Sequence, residues 1–254
     1  MKKLSDLSVK IFADGAEKAS MLELYRNPLI KGFTTNPTLM RKAGIQDFRA
    51  FAGEMLRTIR DHPICFEVFS EDFDEMAAQA LEIASWGENV FVKIPVTTSG
   101  GESAGELVRR LTNQGVKLNV TAMLTLDQVR HIGDCLAGGA PSIVSVFAGR
   151  IADTGRDPVP LMAEAVDLLR PHDNVELLWA SPREILNIFH ADSIGCHIIT
   201  ITSDLLKKLP LIGKDLSEYS LETVRMFHSD AAAAGYEIQP GQSGKAASAS
   251  IETG

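Results

Sequence analysis

The sequence predicts a single (β/α)8 TIM barrel of the α/β class, and three observations lead there. Eight short runs rich in β-branched and aromatic residues recur along the chain, and longer segments with apolar residues three and four apart lie between them. These βα units occupy about 200 residues, a length that suits one closed barrel. No Gly-rich dinucleotide turn follows the first run, which disfavours an open doubly wound sheet.

Taken in order, "SVKIFADG" is the first strand and closes on Asp14. "GFTTNP" is the second; Asn36 before Pro37 in "FTTNPTLM" reads as a helix cap, and only its position beside other inward residues suggests a ligand role. "QDFRAFAGEMLRTIRD" has helical spacing, "PICFEVFS" is the third strand, and "EDFDEMAAQALEIASWG" is the next helix. "VFVKIPVT" runs almost continuously apolar, as a parallel strand buried on both faces does, apart from Lys93. "KLNVTAML" precedes the helical "TLDQVRHIGDCLAG", and "SIVSVFAG" ends just before Arg150. "VELLWAS" reaches Ser181, which with Pro182 and Glu184 reads as a capping box opening the following helix. "CHIITIT" is the eighth strand.

Beyond it, "DLSEYSLETVRMFHSDAAAAGY" predicts a further helix in which Leu221, Val224, Met226 and Phe227 form an apolar stripe for covering the barrel or a neighbouring subunit. "EIQPGQSGKAASASIETG" lacks periodicity and is rich in Gly, Ser and Ala. The expected organisation is therefore a barrel with its C-terminal helix over residues 1–236 and a flexible tail over 237–254.

Of the 254 residues, 45% are hydrophobic and 23% charged, which fits a globular domain and disfavours overall disorder, collagen-like repeats and fibrous structure. The net charge of -8, from 33 acidic and 25 basic residues, argues against nucleic acid or anionic membranes as partners, so an anionic ligand needs a locally positive site. No apolar stretch approaches a membrane span, and the start, "MKKLSDLSVKIFADG", lacks a signal peptide's unbroken apolar segment; a cytoplasmic protein is expected. Three cysteines without C-x-x-C spacing read as reduced core residues, and six scattered histidines show no metal-site spacing.

Strand residues alternate faces. With Val90, Val92, Ile94 and Val96 toward the helices, Phe91, Lys93 and Pro95 face the barrel axis. The same parity turns Cys65 and Glu67 inward, then Asn119 and Thr121 (with Leu118, Val120 and Ala122 outward), then Ser145 and Phe147. Asp14, Asn36, Arg150 and Ser181 stand at strand ends, and these polar residues gather toward the carboxyl ends, where barrel enzymes place their chemistry. A buried lysine feels burial favouring the neutral amine and carboxylates favouring the ammonium. As a neutral amine it is a nucleophile toward carbonyls, forming a Schiff base that accepts electrons when a neighbouring C–C bond breaks. The alternative is structural: Lys93 pairs with Glu67 or Asp14, while Asn119, Thr121 and Ser145 fill small interior positions with satisfied hydrogen bonds.

"WASPREIL" likewise has two readings. It is a helix start, or its free N–H groups and Arg183, a cation in a first turn that prefers acids, bind an anion with help from Arg150.

In "FADG", "GFTTNPT", "EVF", "VFVKIP", "LNVTAM", "VFAGRIAD" and "ASPRE", the chain over residues 9–210 resembles the transaldolases, particularly the short branch related to fructose-6-phosphate aldolases. The resemblance implies a circularly permuted class I aldolase barrel with Lys93 as the Schiff-base lysine. Asp14 matches the group that takes and returns the proton of the hydroxyl at the breaking bond. Glu67 and Thr121 match the pair that holds a catalytic water. Thr34, Asn36, Asn119 and Ser145 match contacts to the three-carbon unit, and Arg150, Ser181 and Arg183 match a phosphate site. Glu67 and Phe147 stand where the transferases have Glu and Phe and the aldolases Gln and Tyr. The chain departs from the family pattern at Pro182, where an aromatic residue is usual, and at Val146, where many relatives have proline.

The function implied is transfer of a dihydroxyacetone unit from a ketose 6-phosphate to an aldehyde, without metal or organic cofactor, in sugar interconversion of the pentose phosphate kind. Some relatives use sugars ending in sulfonate, as a sulfofructose transaldolase does, and a homo-oligomer is expected. Two rivals share these residues: a lyase releasing free dihydroxyacetone, and a catalytically silent sugar-phosphate-binding barrel.

Overall fold

The structure is a computed structural model and describes residues 3–238. Eight parallel strands close in sequence order into one barrel: β1 (Lys10–Asp14), β2 (Ile30–Thr34), β3 (Ile64–Glu67), β4 (Val90–Pro95), β5 (Leu118–Met123), β6 (Ser142–Val146), β7 (Val175–Trp179) and β8 (Ile198–Thr202). The α-helices are α1 (Lys18–Tyr25), α2 (Pro37–Lys42), α3 (Phe48–Thr58), α4 (Phe73–Ala84), α5 (Gly105–Asn113), α6 (Leu126–Leu136), α7 (Ala148–Ala152), α8 (Pro158–Leu169), α9 (Leu186–Ser193), α10 (Ser203–Leu206) and α11 (Leu216–Ala233).

Two compact units divide at Pro210 and Leu211. The first holds the barrel; the second holds α11, whose Leu221, Val224, Met226 and Phe227 are all exposed. Most of the expected tail, residues 239–254, lies outside the described residues.

Side-chain parity divides the barrel's apolar residues into two layers. Val90, Val92, Ile94 and Val96 join the large outer core with the helices, as the strand alternation predicts. Phe12, Cys65, Ile143, Leu178, Ala180 and Ile198 form a separate inner cluster, with Phe91 and Phe147 packed against it. Phe12 fills the axis because its neighbour is Gly32: a Cβ there would fall 2.5 Å from the Phe12 ring.

The alternation fails at Ala122. The β5–β6 ladder slips between Val120 and Met123, and Ala122 takes a left-handed φ of 68°. The extra residue is a bulge that re-aims the end of β5, so buried Met123, not Ala122, takes the next outward core position.

Helix starts follow their local chemistry where the cap side chain is free to reach back. Asn36 Oδ1 accepts from Leu39 N at 2.9 Å, with Pro37 in the first turn of α2, and Thr125 and Gln128 form a reciprocal box at α6. The box expected at Ser181 does not form. Ser181 sits at a left-handed φ of 59°, α9 begins only at Leu186, and Asn187 Oδ1 instead accepts from Arg183 N at 2.8 Å and Glu184 N at 3.1 Å.

Candidate active site

Ladder register decides which side chains meet at the carboxyl ends of the strands. Glu67 pairs with Lys93, Lys93 with Asn119, and Asp14 with both Thr34 and Thr202. The register thus sets Glu67, Lys93 and Asn119 side by side on β3, β4 and β5, and Asp14 between Thr34 and Thr202.

Lys93 lies at the centre. It is 7% exposed, and its Nζ donates to Glu67 Oε1 at 2.6 Å and to the carbonyl of Thr35. Thr35 Oγ1 is 2.8 Å from the Cys65 carbonyl and 3.2 Å from Glu67 Oε2, bracing the carboxylate from behind. Burial is the largest single influence and lowers the lysine's pKa, but the charge and hydrogen bond of Glu67, joined by Asp14, together hold the ammonium above the ordinary lysine value. The structural and the chemical readings of Lys93 therefore share one geometry: an ion pair whose carboxylate is also the nearest base.

Asp14 faces this pair across the site. Thr34 Oγ1 donates to Asp14 Oδ1 at 2.8 Å, and Asn36 Nδ2 reaches Oδ2 at 3.5 Å. Burial pushes Asp14 above the ordinary carboxylate range, against the pull of Lys93, Thr34 and Asn36. Glu67 is pushed the same way by burial. Ser145 Oγ donates to Asn119 Oδ1 at 2.7 Å, and Asn119 Nδ2 points at Cys65 Sγ, 3.3 Å away. That thiol is pushed by burial to about 11, which keeps it protonated and unreactive.

A cavity of about 630 Å³ opens over these groups. Asp14, Thr34, Asn36, Lys93, Asn119, Thr121, Ser145, Phe147, Arg150, Ser181 and Arg183 all line it. Glu67 does not; it stands beside Lys93 at 6% exposure. At the outer end, Arg150 lies over the Phe147 ring, 5.6 Å from its centroid. Arg183 is not in a first helical turn: its Nε donates to Asp153 Oδ1 at 3.0 Å and its second nitrogen to Oδ2. The charge that looked misplaced thus has an acidic partner within the protein.

Several residues of the site had no role assigned from the sequence. Thr200 and Thr202 line the cavity and alternate with Ile199 and Ile201, so strand parity carries their signal. Thr35 acts through its backbone carbonyl and Asp153 from the end of α7; both lie within motifs quoted above, but the motifs do not tell these roles. Gly149 is the clearest case. A Cβ there would lie 1.5 Å from the Ser181 carbonyl oxygen, so only glycine lets α7 approach the end of β7. Among the described residues, no group of three or more His, Cys, Asp or Glu is placed to hold a metal ion. No helix among them is long and apolar enough to cross a membrane.

Fold and site together define a (β/α)8 barrel with a lysine-centred polar cavity at the carboxyl ends of its strands. Residues 11–239 match the family described as transaldolase/fructose-6-phosphate aldolase. A protein named "probable transaldolase" from Methanococcus maripaludis is 33% identical over 225 residues, 85% of this chain and 100% of its own length. One of the same name from Dehalococcoides mccartyi is 32% identical over 79% of this chain and 90% of its own, and a "probable transaldolase 2" of Listeria monocytogenes is 33% identical over 83% and 94%. The chain belongs to the transaldolase/fructose-6-phosphate aldolase family and is an enzyme of transaldolase type. Among solved structures, 2,3-dimethylmalate lyase aligns with a TM-score of 0.52 at 12% identity, covering 95% of this chain and 89% of its own; that likeness is one of barrel fold.

Proposed function

We propose that this enzyme transfers a dihydroxyacetone unit from a ketose 6-phosphate or 6-sulfonate to an aldehyde, through a Schiff base on Lys93. The observation that carries the reading is the Lys93–Glu67 contact of 2.6 Å, buried in the barrel and facing Asp14.

Proton transfer from the ammonium to Glu67 leaves a neutral amine, which adds to the ketose carbonyl at C2. Glu67, its proton affinity raised by burial, returns the proton to the carbinolamine hydroxyl, which leaves as water; Thr121 on the cavity wall helps hold that water. Asp14 then takes the proton of the C4 hydroxyl. The O–H pair becomes the aldehyde C=O, the C3–C4 pair becomes the enamine double bond, and the iminium π pair settles on nitrogen. Thr34, Asn36, Asn119 and Ser145 surround the retained three carbons. The enamine attacks the second aldehyde, Asp14 returns its proton to the new alkoxide, and hydrolysis frees Lys93.

Phe147 supports transfer over release, because a phenyl ring has no proton to quench the enamine. Phe147→Tyr should increase free dihydroxyacetone formed from ketose alone. Arg150, Ser181 and Arg183 suit the anionic end of the sugar, Arg183 exchanging Asp153 for the ligand. Arg183→Ala should then weaken anionic sugars far more than neutral ones. The reading places the reaction in cytoplasmic carbohydrate metabolism, with a homo-oligomer as the working assembly.

The test is borohydride reduction with fructose 6-phosphate and, separately, its 6-sulfonate analogue, followed by peptide mapping. A three-carbon adduct on Lys93, absent in Lys93→Ala, is expected. No adduct with either sugar would remove the Schiff-base reading and leave a silent binding barrel. Repeated turnover of ketose without acceptor would make the protein a lyase.

A further inference from the structure

Asp14 is connected to β8 through two hydroxyls. Thr34 Oγ1 donates to Asp14 Oδ1 at 2.8 Å and stands 2.5 Å from Thr200 Oγ1. A threonine hydroxyl carries one proton. With Asp14 ionised, that proton of Thr34 is engaged by the carboxylate, so the contact with Thr200 is one in which Thr34 accepts and Thr200 donates. Both threonines are nearly buried, at 3% and 6% exposure, at the floor of the cavity wall, so each is the other's closest hydroxyl partner. Nor are they ladder neighbours: β2 and β8 flank β1 on opposite sides, so their hydroxyls meet inside the barrel. Among the described residues, the other carboxylate oxygen, Oδ2, has only the Asn36 amide at 3.5 Å, the outer limit of a hydrogen bond, and Asp14 lines the cavity.

We propose that Thr200 is a positioning residue for Asp14: by donating to Thr34 it commits that hydroxyl to Oδ1 and leaves Oδ2 as the oxygen that exchanges a proton with the ligand. This rests on Asp14 being the acid–base group of the reaction. Chained hydroxyls polarise one another, so Thr200 strengthens the bond that steadies the charged carboxylate. The titratable groups facing Asp14 are Lys93 from β4 and Glu67 and Cys65 from β3. From β2 and β8 it meets the amide and hydroxyls already named, and the hydroxyl chain is their contribution.

The experiment is a pH titration of the Asp14 carboxyl carbon by NMR, assigned with Asp14→Asn, in the unmodified protein, Thr200→Val, Thr200→Ser, Thr34→Val and the double Thr34→Val/Thr200→Val. Thr200→Val should raise the Asp14 midpoint by about half a pH unit or more. Thr200→Ser should restore it, and Thr200→Val should add nothing once Thr34 is valine. In single turnover with fructose 6-phosphate, glyceraldehyde 3-phosphate release should slow about three- to tenfold, with the half-saturating sugar concentration unchanged and the acid limb following the midpoint. A Thr200→Val titration that superposes on the unmodified protein, or a shift of equal size without the Thr34 hydroxyl, overturns the proposal. Thr200→Ala repeats the test should the valine variant unfold. If the unmodified protein forms no Lys93 adduct, the reading of Asp14 in catalysis falls, while the titration still decides whether Thr200 positions it.

Discussion

Burial raises Asp14 above the ordinary carboxylate range although the Lys93 ammonium faces it. Between its unfolded and folded pKa values, the native protein therefore holds a proton that the unfolded chain has released. Linkage gives the sign: the stability from that proton is fully present below the unfolded value and is lost as pH rises through the folded one. Asp14→Asn removes this loss. Thermal unfolding from about pH 4 to pH 8 should show the variant gaining stability relative to the unmodified protein as pH rises, while transfer activity falls about 10²- to 10⁴-fold. Curves that run parallel would mean Asp14 is not buried as charge. At this scale Glu67, Lys93, Asn119, Thr121 and Ser145 were legible from strand alternation, Asp14 from its place at a strand end, and Thr34 only from the family resemblance. Asp153, the partner of Arg183, was not, since an acid in a turn looks solvated until the chain brings β6 and β7 side by side.

Two segments, α7 after β6 and the turn after β7, meet at Gly149, where the backbone leaves no room for a methyl group. Gly149→Ala must push α7 away from the Ser181 carbonyl, which costs about 1–3 kcal/mol by the usual measure of overpacking. Calorimetry should show the lower Tm. Because Arg150 lies on α7 and Ser181 on the turn after β7, anionic sugars should bind more weakly while Lys93 still forms its reduced adduct; an unchanged affinity would separate these segments from anion binding. Element types were legible because period two and period three-to-four differ so sharply in this chain. The failures, at Ala122 and at the Ser181 cap, are single residues in left-handed backbone. Neither is glycine or asparagine, so composition holds no sign of them.

At the scale of the barrel, the two ends do different work. Lys10 and Glu176 form a half-exposed ion pair at 2.5 Å near the amino-terminal ends of their strands, with the Phe12 layer between them and the cavity. Lys10→Met should change stability by less than about 1 kcal/mol, as exposed pairs do, and leave the rate of Lys93 adduct formation unaltered. Unfolding curves and trapping kinetics on one preparation check both, and a slowed adduct would show that the ends communicate. The sequence by itself determined the barrel, the inward direction of its polar residues and the family, because alternation and motif order are local properties that survive any arrangement in space. Only the tertiary structure decided that Lys93 pairs with Glu67 rather than Asp14, that Arg183 is shared with Asp153, and that Thr200 reaches Asp14 through Thr34. Those facts depend on ladder register and on which strands face one another across the closed barrel, and chain segments as far apart as β1 and β8 become neighbours only when it closes.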